Sequence, residues 1–258
     1  MKTNLNLFLA ILLLCFTATS CFNTTFEYGN GEIIEEMRSV PQFSSISSEG
    51  SFDIYYEYAD TPSVLVSCES NLIQYIETAV FDGELKIGTP NFVVIRPRKT
   101  IEVYVKGPHV DKILLSGSGL IHTDTIRTSD LTLRIGGSGD IETIFIGKNL
   151  STTVSGSGDI RSYAECEKYE VVISGSGKIF PQGWADKSIY TVSGSGNVRG
   201  YDFPVLDAVV NISGSGDLYL NVEDNLGINI SGSGNIYYIG HPNIEKNIAG
   251  SGNIINDN

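Results

Sequence analysis

The sequence predicts an all-β fold, a parallel β-helix whose coils each take 18 to 20 residues. Two observations lead to this prediction: a Ser-Gly-Ser-Gly motif that recurs at nearly constant spacing, and apolar residues that alternate with polar ones on both sides of it. The copies begin at Ser116, Gly136, Ser155, Ser174, Ser193, Ser213, Ser231 and Ala249. Self-similarity at a short fixed period is typical of stacked repeats.

The alternation around the motif assigns an inward and an outward side to each strand. Val171, Ile173, Gly175, Gly177 and Ile179 fall on one side of an extended chain, whereas the serines fall on the other. We therefore expect the glycines to face inward at a tight corner, where the chain bends without side chains to accommodate. The predicted corner glycines are Gly117, Gly119, Gly137, Gly139, Gly156, Gly158, Gly175, Gly177, Gly194, Gly196, Gly214, Gly216, Gly232, Gly234, Gly250 and Gly252.

The remainder of each unit holds a second extended stretch and a polar corner. A unit of this length is too short for a four-stranded propeller blade, and one coil of a β-helix fits it best. No Pro-, Gly- or Ser-rich linker divides the chain, so we expect a single domain over residues 29–258. Within it, degenerate coils are expected over 29–112 and regular coils over 113–258, with one helical turn over 72–76.

The first twenty residues have the pattern of an export signal. Lys2 precedes an apolar run over residues 5–16 that is short for a membrane span, and small residues follow at 18–20. These small residues ending in Cys21 resemble a bacterial lipobox, which implies cleavage before Cys21 and acylation of its thiol. We expect residues 21–28 to link this lipid anchor to the domain, as in an exported outer-membrane lipoprotein. Ordinary signal cleavage at the same place is the alternative.

Charge and cysteine content narrow the range of functions. The chain has 30 acidic and 17 basic residues and a net charge of −13, which would repel a phosphate backbone, so no nucleic-acid partner is expected. Cys68 and Cys166 lie about five repeats apart, which separates them by about 24 Å. That distance excludes a disulfide, and we expect both residues to be buried as small hydrophobes.

Several segments resemble the head GIN domain family of autotransporter adhesins. They are residues 43–46 (Phe-Ser-Ser-Ile) with 50–54 (Gly-Ser-Phe-Asp-Ile), residues 82–87 (Asp-Gly-Glu-Leu-Lys-Ile), and the serial Gly-Ser-Gly-Asp/Asn-Ile units. The resemblance extends over residues 29–258 and implies an exported or lipid-anchored bacterial surface protein with a right-handed β-helical body. It brings no catalytic residues, and because the sequence shows no translocator region, attachment is expected to depend on Cys21.

The residue after each Gly-Ser-Gly is usually Asp or Asn, and stacking would place these residues in one column. They are Leu120, Asp140, Asp159, Lys178, Asn197, Asp217, Asn235 and Asn253. One interpretation is a stripe that binds calcium or a glycan, since hard cations take several oxygen ligands. The other, which we favour, is a hydrogen-bonded ladder between coils. The calcium-binding β-roll repeat places its aspartate one position later, so we expect no metal and no cofactor.

The sequence does not predict catalysis. The histidines, His109, His122 and His241, each stand alone in their units, and no serine lies in a nucleophile elbow. A polysaccharide-active enzyme on a β-helix is the alternative, and it would need carboxylates gathered in a groove. A purely structural spacer with a uniform polar surface is the third candidate.

Aromatic residues lead to the binding hypothesis. Tyr55-Tyr56 and Tyr237-Tyr238 are adjacent pairs, so one member of each faces outward in an alternating strand, and Trp184 is the single tryptophan. Exposed rings could bind a glycan or anchor a protein at the cell surface, although strand propensity alone also places tyrosine in strands. A shallow face lined with these residues would favour an adhesion module. The last coil has no evident cap, so a homo-oligomer through that end, or through a flat face, is a further expectation.

Overall fold

Stacked parallel strands form the body of the protein in a computed structural model that describes residues 24–258. The structure is 65% strand and winds as a β-solenoid of about eight turns. Residues 24–258 contain no α-helix, and the predicted helical turn is a single 3₁₀ turn at Ile73–Tyr75. The predicted parallel β-helix is thus confirmed. The export signal over 1–20 and the lipid attachment at Cys21 lie outside the described residues and stay predictions.

Ten strands make up the N-terminal part of the fold. They are β1 (Thr25–Tyr28), β2 (Ile33–Ser39), β3 (Ser45–Glu49), β4 (Phe52–Tyr58), β5 (Ser63–Glu69), β6 (Glu77–Phe81), β7 (Glu84–Gly88), β8 (Val93–Arg96), β9 (Ile101–Gly107) and β10 (Lys112–Leu115).

The remaining strands form the regular coils. They are β11 (Leu120–Arg127), β12 (Asp130–Ile135), β13 (Asp140–Ile146), β14 (Asn149–Val154), β15 (Ile160–Ile173), β16 (Lys178–Val192), β17 (Asn197–Ile212), β18 (Leu218–Ile230), β19 (Ile236–Ile239), β20 (Asn243–Ile248) and β21 (Ile254–Asn256). Strands β15 to β18 run through the polar corner without interruption, so each serves two sides of its coil.

Each coil has two sheet faces that meet at the glycine corner. The front face holds the segments that follow the corner, from β4 and β11 to β21, and the back face holds those that precede it, from β3 and β10 to β20. On the front face Ile141 pairs with Ile160 and Ile160 with Ile179, and on the back face Val154 pairs with Ile173. All five side chains are fully buried, so the inward columns of the two faces form one continuous apolar core.

The expectation of degenerate coils over residues 29–112 is wrong for much of that segment. Only two coil layers stack in parallel there. One consists of β3 and β4, and the other consists of β7 and β9, which pair with β3 and β4 respectively. Strand β5 pairs antiparallel with both β9 and β2, and β6 pairs antiparallel with β7. These antiparallel strands form an N-terminal cap, because a solenoid has to cover the core and the strand edges of its first layer.

At the opposite end of the stack, none of residues 24–258 forms such a cover. Strand β20 is exposed along its whole length. Lys246 occupies the inward position that Ile228 and Val210 hold in the two preceding coils. A charge at an inward position of an edge strand disfavours edge-to-edge pairing. The homo-oligomer stays a prediction. The inward position of Lys246 disfavours a contact between subunits that pairs β20 with another strand.

The corner glycines are required by the closeness of successive coils. A Cβ atom on Gly175 would lie 1.9 Å from the carbonyl oxygen of Gly156. One on Gly177 would lie 1.9 Å from the carbonyl oxygen of Gly158 and 2.8 Å from the core side chain of Val154. None of the predicted corner glycines has a positive φ. A side chain at these positions would therefore lie nearest to the backbone of the preceding coil, and the core side chains would be its next neighbours. This refines the expectation that the corner glycines face inward.

Both cysteines of the described chain behave as predicted. Cys68 and Cys166 are buried and form no disulfide. Burial raises the pKa of the Cys68 thiol to about 11 and that of the Cys166 thiol to about 12. Both therefore stay protonated at neutral pH and act as small apolar side chains.

Candidate ligand-binding face

The front face carries one continuous column of large outward side chains. In stack order, from the N-terminal cap to the last coil, the column consists of Met37, Leu65, Tyr104, Tyr55, His122, Glu142, Arg161, Phe180, Arg199, Tyr219, Tyr237 and Ile255. All neighbours in this series pair in register except Phe180 and Arg199, which directly follow the paired residues Ile179 and Val198. We call the part of this series from Tyr104 to Tyr237 the front column. At about 4.8 Å per strand, the front column is about 40 Å long.

The rings of the front column stack along the solenoid axis. The ring centroids of Tyr55 and Tyr104 are 5.2 Å apart at an interplanar angle of 20°, and those of Tyr219 and Tyr237 are 4.7 Å apart at 5°. The Tyr104 hydroxyl donates to Glu102 at 2.9 Å, and this hydrogen bond raises the pKa of the phenol. Stacked pairs stabilise by about 1 kcal/mol each. This arrangement turns ring edges and hydroxyl groups, rather than ring faces, toward solvent.

Two arginines of the front column lie over aromatic rings. The guanidinium carbon of Arg161 is 5.0 Å from the centroid of the Phe180 ring, and that of Arg199 is 4.0 Å from the centroid of the Tyr219 ring. Arg161 also lies 3.6 Å from an oxygen of Asp140 and 3.5 Å from an oxygen of Asp159. Each such exposed contact contributes up to about 1 kcal/mol. Together they hold the guanidinium groups against the face.

A shallow groove of about 460 Å³ runs beside the middle of the front column. One wall is His122, Glu142, Arg161 and Phe180, and the other is Ile144, Tyr163 and Gln182. Buried Thr123 and Thr143 lie between the walls, with their hydroxyl oxygens 2.7 Å apart. Nδ1 of His122 lies 3.4 Å from Glu142 Oε2. The groove therefore combines carboxylate, guanidinium, imidazole and amide groups with apolar surface.

The outward side chains of the back face are of a different kind. Its central column reads Leu114, Arg134, Thr153, Val172, Thr191, Asn211, Asn229 and Asn247 in successive coils. The side-chain amide of Asn229 donates to Asn211 Oδ1 at 3.1 Å, as in an amide ladder. None of the side chains in this column is aromatic.

The structure brings two of the five predicted aromatic residues into the front column, Tyr55 and Tyr237. Tyr56 is the buried member of its pair: its hydroxyl donates to the carbonyl of Pro108, and burial raises its pKa to about 12. Tyr238 is half-buried and packs against the core. Neither Tyr56 nor Tyr238 is placed for ligand contact.

Trp184 lies away from the front column. Its side chain is 46% exposed, and it lines a separate pocket of about 190 Å³ together with Leu206 and Glu223. Trp184 is in register with Glu165, near the polar corner. It therefore belongs to a different surface from Tyr55 and Tyr237.

Sequence reasoning missed most of the front column. The residues not predicted are His122, Glu142, Arg161, Phe180, Arg199, Tyr219 and Tyr104. In the regular coils, a signal was available: each of these residues stands three positions after the last glycine of its motif. Reading that repeat position down the chain would have found them.

The Asp/Asn column beside the front column is a structural ladder, as predicted. The backbone N–H of Asp159 donates to Asp140 Oδ1 at 2.8 Å, and that of Asp217 donates to Asn197 Oδ1 at 2.7 Å. The N–H groups of Lys178, Asn235 and Asn253 are bound in the same way by the preceding coil. Where Lys178 interrupts the ladder, the next N–H, that of Asn197, donates to the carbonyl of Gly177 instead, at 3.2 Å.

The carboxylates of this ladder already have hydrogen-bond donors. Arg161 lies between Asp140 and Asp159 and offsets the repulsion between their stacked charges. Within residues 24–258, no group of three or more acidic, histidine or cysteine side chains is placed to hold a metal ion.

Comparison with protein families shows a match over most of the chain. The model described as "Putative auto-transporter adhesin, head GIN domain" matches residues 42–242. This span includes the front column from β4 to β19 and most of the coils. None of the curated proteins matches the chain.

Solved structures share the fold over nearly the whole chain. A putative lipid binding protein from Parabacteroides distasonis is 26% identical, with a TM-score of 0.84, and the match covers 90% of this chain and 100% of that one. A putative adhesin from the same organism is 24% identical, with a TM-score of 0.84 and coverage of 89% and 98%. A putative adhesin from Parabacteroides merdae is 22% identical, with a TM-score of 0.84 and coverage of 90% and 100%.

Proposed function

Because the chain belongs to the head GIN domain family of putative auto-transporter adhesins, we propose that it is a cell-envelope adhesion module that binds its ligand through the front column and the adjoining groove. The observation that carries this proposal is the difference between the two faces. Both faces pack the same kind of apolar core and both carry outward charged side chains, yet among the described coils only the front face aligns outward aromatic rings, with arginines lying over two of them. Clusters of that composition are typical of binding surfaces.

A protein surface is the ligand class that the front column favours. Tyr, Phe and Arg are enriched among the residues that dominate protein interfaces. A sugar ring, by contrast, binds an aromatic residue by lying flat on a free ring face. Tyr219 offers no such face, because Tyr237 stacks on one side of it and Arg199 lies over the other.

A glycan is the second candidate ligand, and the groove is the observation that favours it. Glu142, Arg161 and Gln182 line its walls and provide several hydrogen-bond donors and acceptors to a hydroxyl-rich molecule. The comparisons name adhesins and a lipid binding protein, and they give no support to the alternatives of a polysaccharide-active enzyme or a structural spacer.

We place the protein at the cell surface, attached through an acylated Cys21. The adhesin family supports an extracellular or cell-surface location. Among the described residues, no helix is long and apolar enough to cross a membrane. Replacing Cys21 by serine should release the protein into the soluble fraction of exported material; unchanged retention in the membrane fraction would refute the lipid attachment.

The ligand proposal is tested with the segment 23–258, which contains all of the strands described above. It is probed against a glycan array and against purified surface proteins of bacterial and host cells. For a ligand found this way, we expect the double variant Arg199→Ala/Tyr219→Ala to weaken binding about 30-fold, the effect of removing an interface hot spot.

The matched control lies on the back face at the same height in the stack. The double variant Asn211→Ala/Asn229→Ala shortens two outward side chains of the back-face ladder. It should bind like the unmodified protein, and circular dichroism should show that both variants keep the fold. Equal losses in the two double variants, or no loss in either, would refute the front column as the binding surface.

A further inference from the structure

The end of the solenoid formed by β1, β2, β6 and β8, which we call the N-terminal pole, differs in structure from the regular coils. Strands β1 and β8 pair in parallel as a separate two-stranded ribbon. Ile95 on this ribbon packs against the core, and Glu27 on the same side accepts a hydrogen bond from the Tyr75 hydroxyl at 3.1 Å. The inner side of the ribbon is therefore bound to the body.

A buried carboxylate fixes the ribbon at the end where both of its parallel strands finish. Glu69 is fully buried at the end of β5 and accepts the backbone N–H of Gly31 at 2.7 Å and that of Arg98 at 2.8 Å. Asn71 donates its side-chain amide to the carbonyl of Tyr28 at 2.8 Å. Because these bonds hold the segments after β1 and after β8, the outer side of the ribbon has a defined orientation, away from the stack.

Large apolar side chains are concentrated on that outer side and its rim. Phe26 is 54% exposed and Tyr28 is 68% exposed on the ribbon. Met37 on the edge strand β2 and Phe81 on the edge strand β6 are 65% and 83% exposed, and Phe81 is the most exposed large apolar residue of the described chain. Isolated exposed apolar residues are ordinary, but a cluster around one pole indicates a surface that is covered in function.

Basic residues accompany this cluster in a chain that is acidic overall. Arg96 pairs in register with Tyr28, and Arg98 and Lys99 follow it after Pro97. All three are exposed, and none of them forms an ion pair with another described residue. Exposed aromatic residues beside Lys and Arg are the composition of protein surfaces that lie in the interface of an anionic bilayer.

We propose that the N-terminal pole rests on the membrane, with Phe26, Tyr28, Phe81 and the basic residues in contact with lipid head groups. The chain supports a lipid surface as the occupant, because the predicted attachment residue Cys21 precedes β1 by four positions. Four residues reach at most about 14 Å, so an anchor there would keep the pole at the bilayer. Two weak signals, an acyl anchor and an interfacial patch, together give stable attachment.

This placement would set the direction of the whole molecule. The solenoid axis would point away from the bilayer, with the last coil distal and the front column free along the side. The proposal does not depend on the ligand of the front column, and its test below does not use that ligand.

The test holds the segment 23–258 on vesicles by an N-terminal hexahistidine tag and a nickel-chelating lipid, in phosphatidylcholine with phosphatidylglycerol. A tether replaces the anchor, so the result does not depend on acylation of Cys21. An environment-sensitive fluorophore is attached to a cysteine placed by Tyr28→Cys, since Cys68 and Cys166 are buried. We expect its emission to shift to shorter wavelength and to be quenched by nitroxide-labelled lipid.

Two controls make the result decisive. The same fluorophore on Asn256→Cys, at the far end of the stack, should emit as it does in buffer. Adding Arg96→Glu and Lys99→Glu to the labelled protein should reduce the shift at position 28, as should raising the salt concentration. An unshifted spectrum at position 28, equal shifts at both positions, or insensitivity to the charge reversals would each overturn the proposal.

Discussion

The front and back faces share one core and one register but differ in what they present to solvent. Inward residues on both faces are mostly aliphatic and buried, as Ile160 and Ile173 illustrate within a single strand. Outward, the front face aligns Phe180, Arg199 and Tyr219 where the back face aligns Thr191, Asn211 and Asn229. Since stacking and core packing constrain the two faces equally, the fold does not explain the difference. It is therefore the feature most informative about function.

The largest expected effect concerns the corner that joins the two faces. Gly175→Val should destabilise the protein by at least about 3 kcal/mol, because any side chain there overlaps the carbonyl oxygen of Gly156 and forces the coils apart. The measurement is a thermal or urea melt followed by far-ultraviolet circular dichroism.

A glycine on the back face provides the control for the corner variant. Gly227 points outward, and a Cβ there would have its nearest neighbours, on Ala208 and Val209, at 3.9 Å. Gly227→Val should stabilise the protein slightly, by about 0.5 kcal/mol, since valine suits a strand and reduces the freedom of the unfolded chain. Similar losses in the two variants would show that outward positions of the back face are not free, and the comparison of the faces would fail.

An intermediate effect is expected from an inward residue of the back face. Tyr169 is fully buried, burial raises its pKa to about 12, and the Thr152 hydroxyl donates to its phenol oxygen at 3.3 Å. The folded state thus holds this proton more tightly than the unfolded state, whose tyrosines have a pKa near 10. The resulting stabilisation is complete below about pH 10 and is lost as the pH rises to about 12, a loss of about 3 kcal/mol.

The variant Tyr169→Phe separates the two contributions of this side chain. At pH 7 it should be less stable than the unmodified protein by about 1 kcal/mol, for the lost hydrogen bond. Near pH 12 the order should reverse, because phenylalanine has no proton to lose. Urea melts at both pH values make the comparison. A stability difference that does not change with pH would contradict the assignment of a buried, neutral phenol.

The smallest effect is expected in the ladder beside the front column. Asn197→Ala removes the oxygen that accepts the Asp217 N–H and should cost about 1 kcal/mol or less. The preceding coil shows why the cost is small. The side chain of Lys178 supplies no acceptor, and the N–H of Asn197 donates to the carbonyl of Gly177 instead. The control Asn197→Asp keeps the acceptor and should be nearly neutral in the same melts. A larger cost for the control than for alanine would refute the ladder as the role of this position.

The regular coils were predictable because each of them repeats the same local signals. Alternation around Val171 and Ile173 assigned their inward side, and the motif located the corner at Gly175 and Gly177. Alternation also required one tyrosine of each adjacent pair to face outward, but it did not choose between the two members. The structure places Tyr55 and Tyr237 outward and leaves Tyr56 and Tyr238 on the side of the core.

The N-terminal cap was not predictable in the same way. Its strands carry alternation but no motif, so the sequence could not distinguish antiparallel strands from further coils. The front column crosses this region: Tyr104 stacks on Tyr55 although β5, β6, β7 and β8 separate their strands in the chain. That contact exists because the layer formed by β7 and β9 stacks directly on the layer formed by β3 and β4, on the side of the N-terminal cap.

The coil length, the glycine corner and the inward columns can be read from the amino-acid sequence, because they follow from the period of a short repeat and from the two-residue period of a strand. The folded chain is needed to see which outward residues meet across coils, how the first layer is covered, and that Phe26, Tyr28 and Arg96 share one pole. These are contacts between distant segments, and their geometry is fixed by the stacking of complete coils and by the need to close an open strand edge.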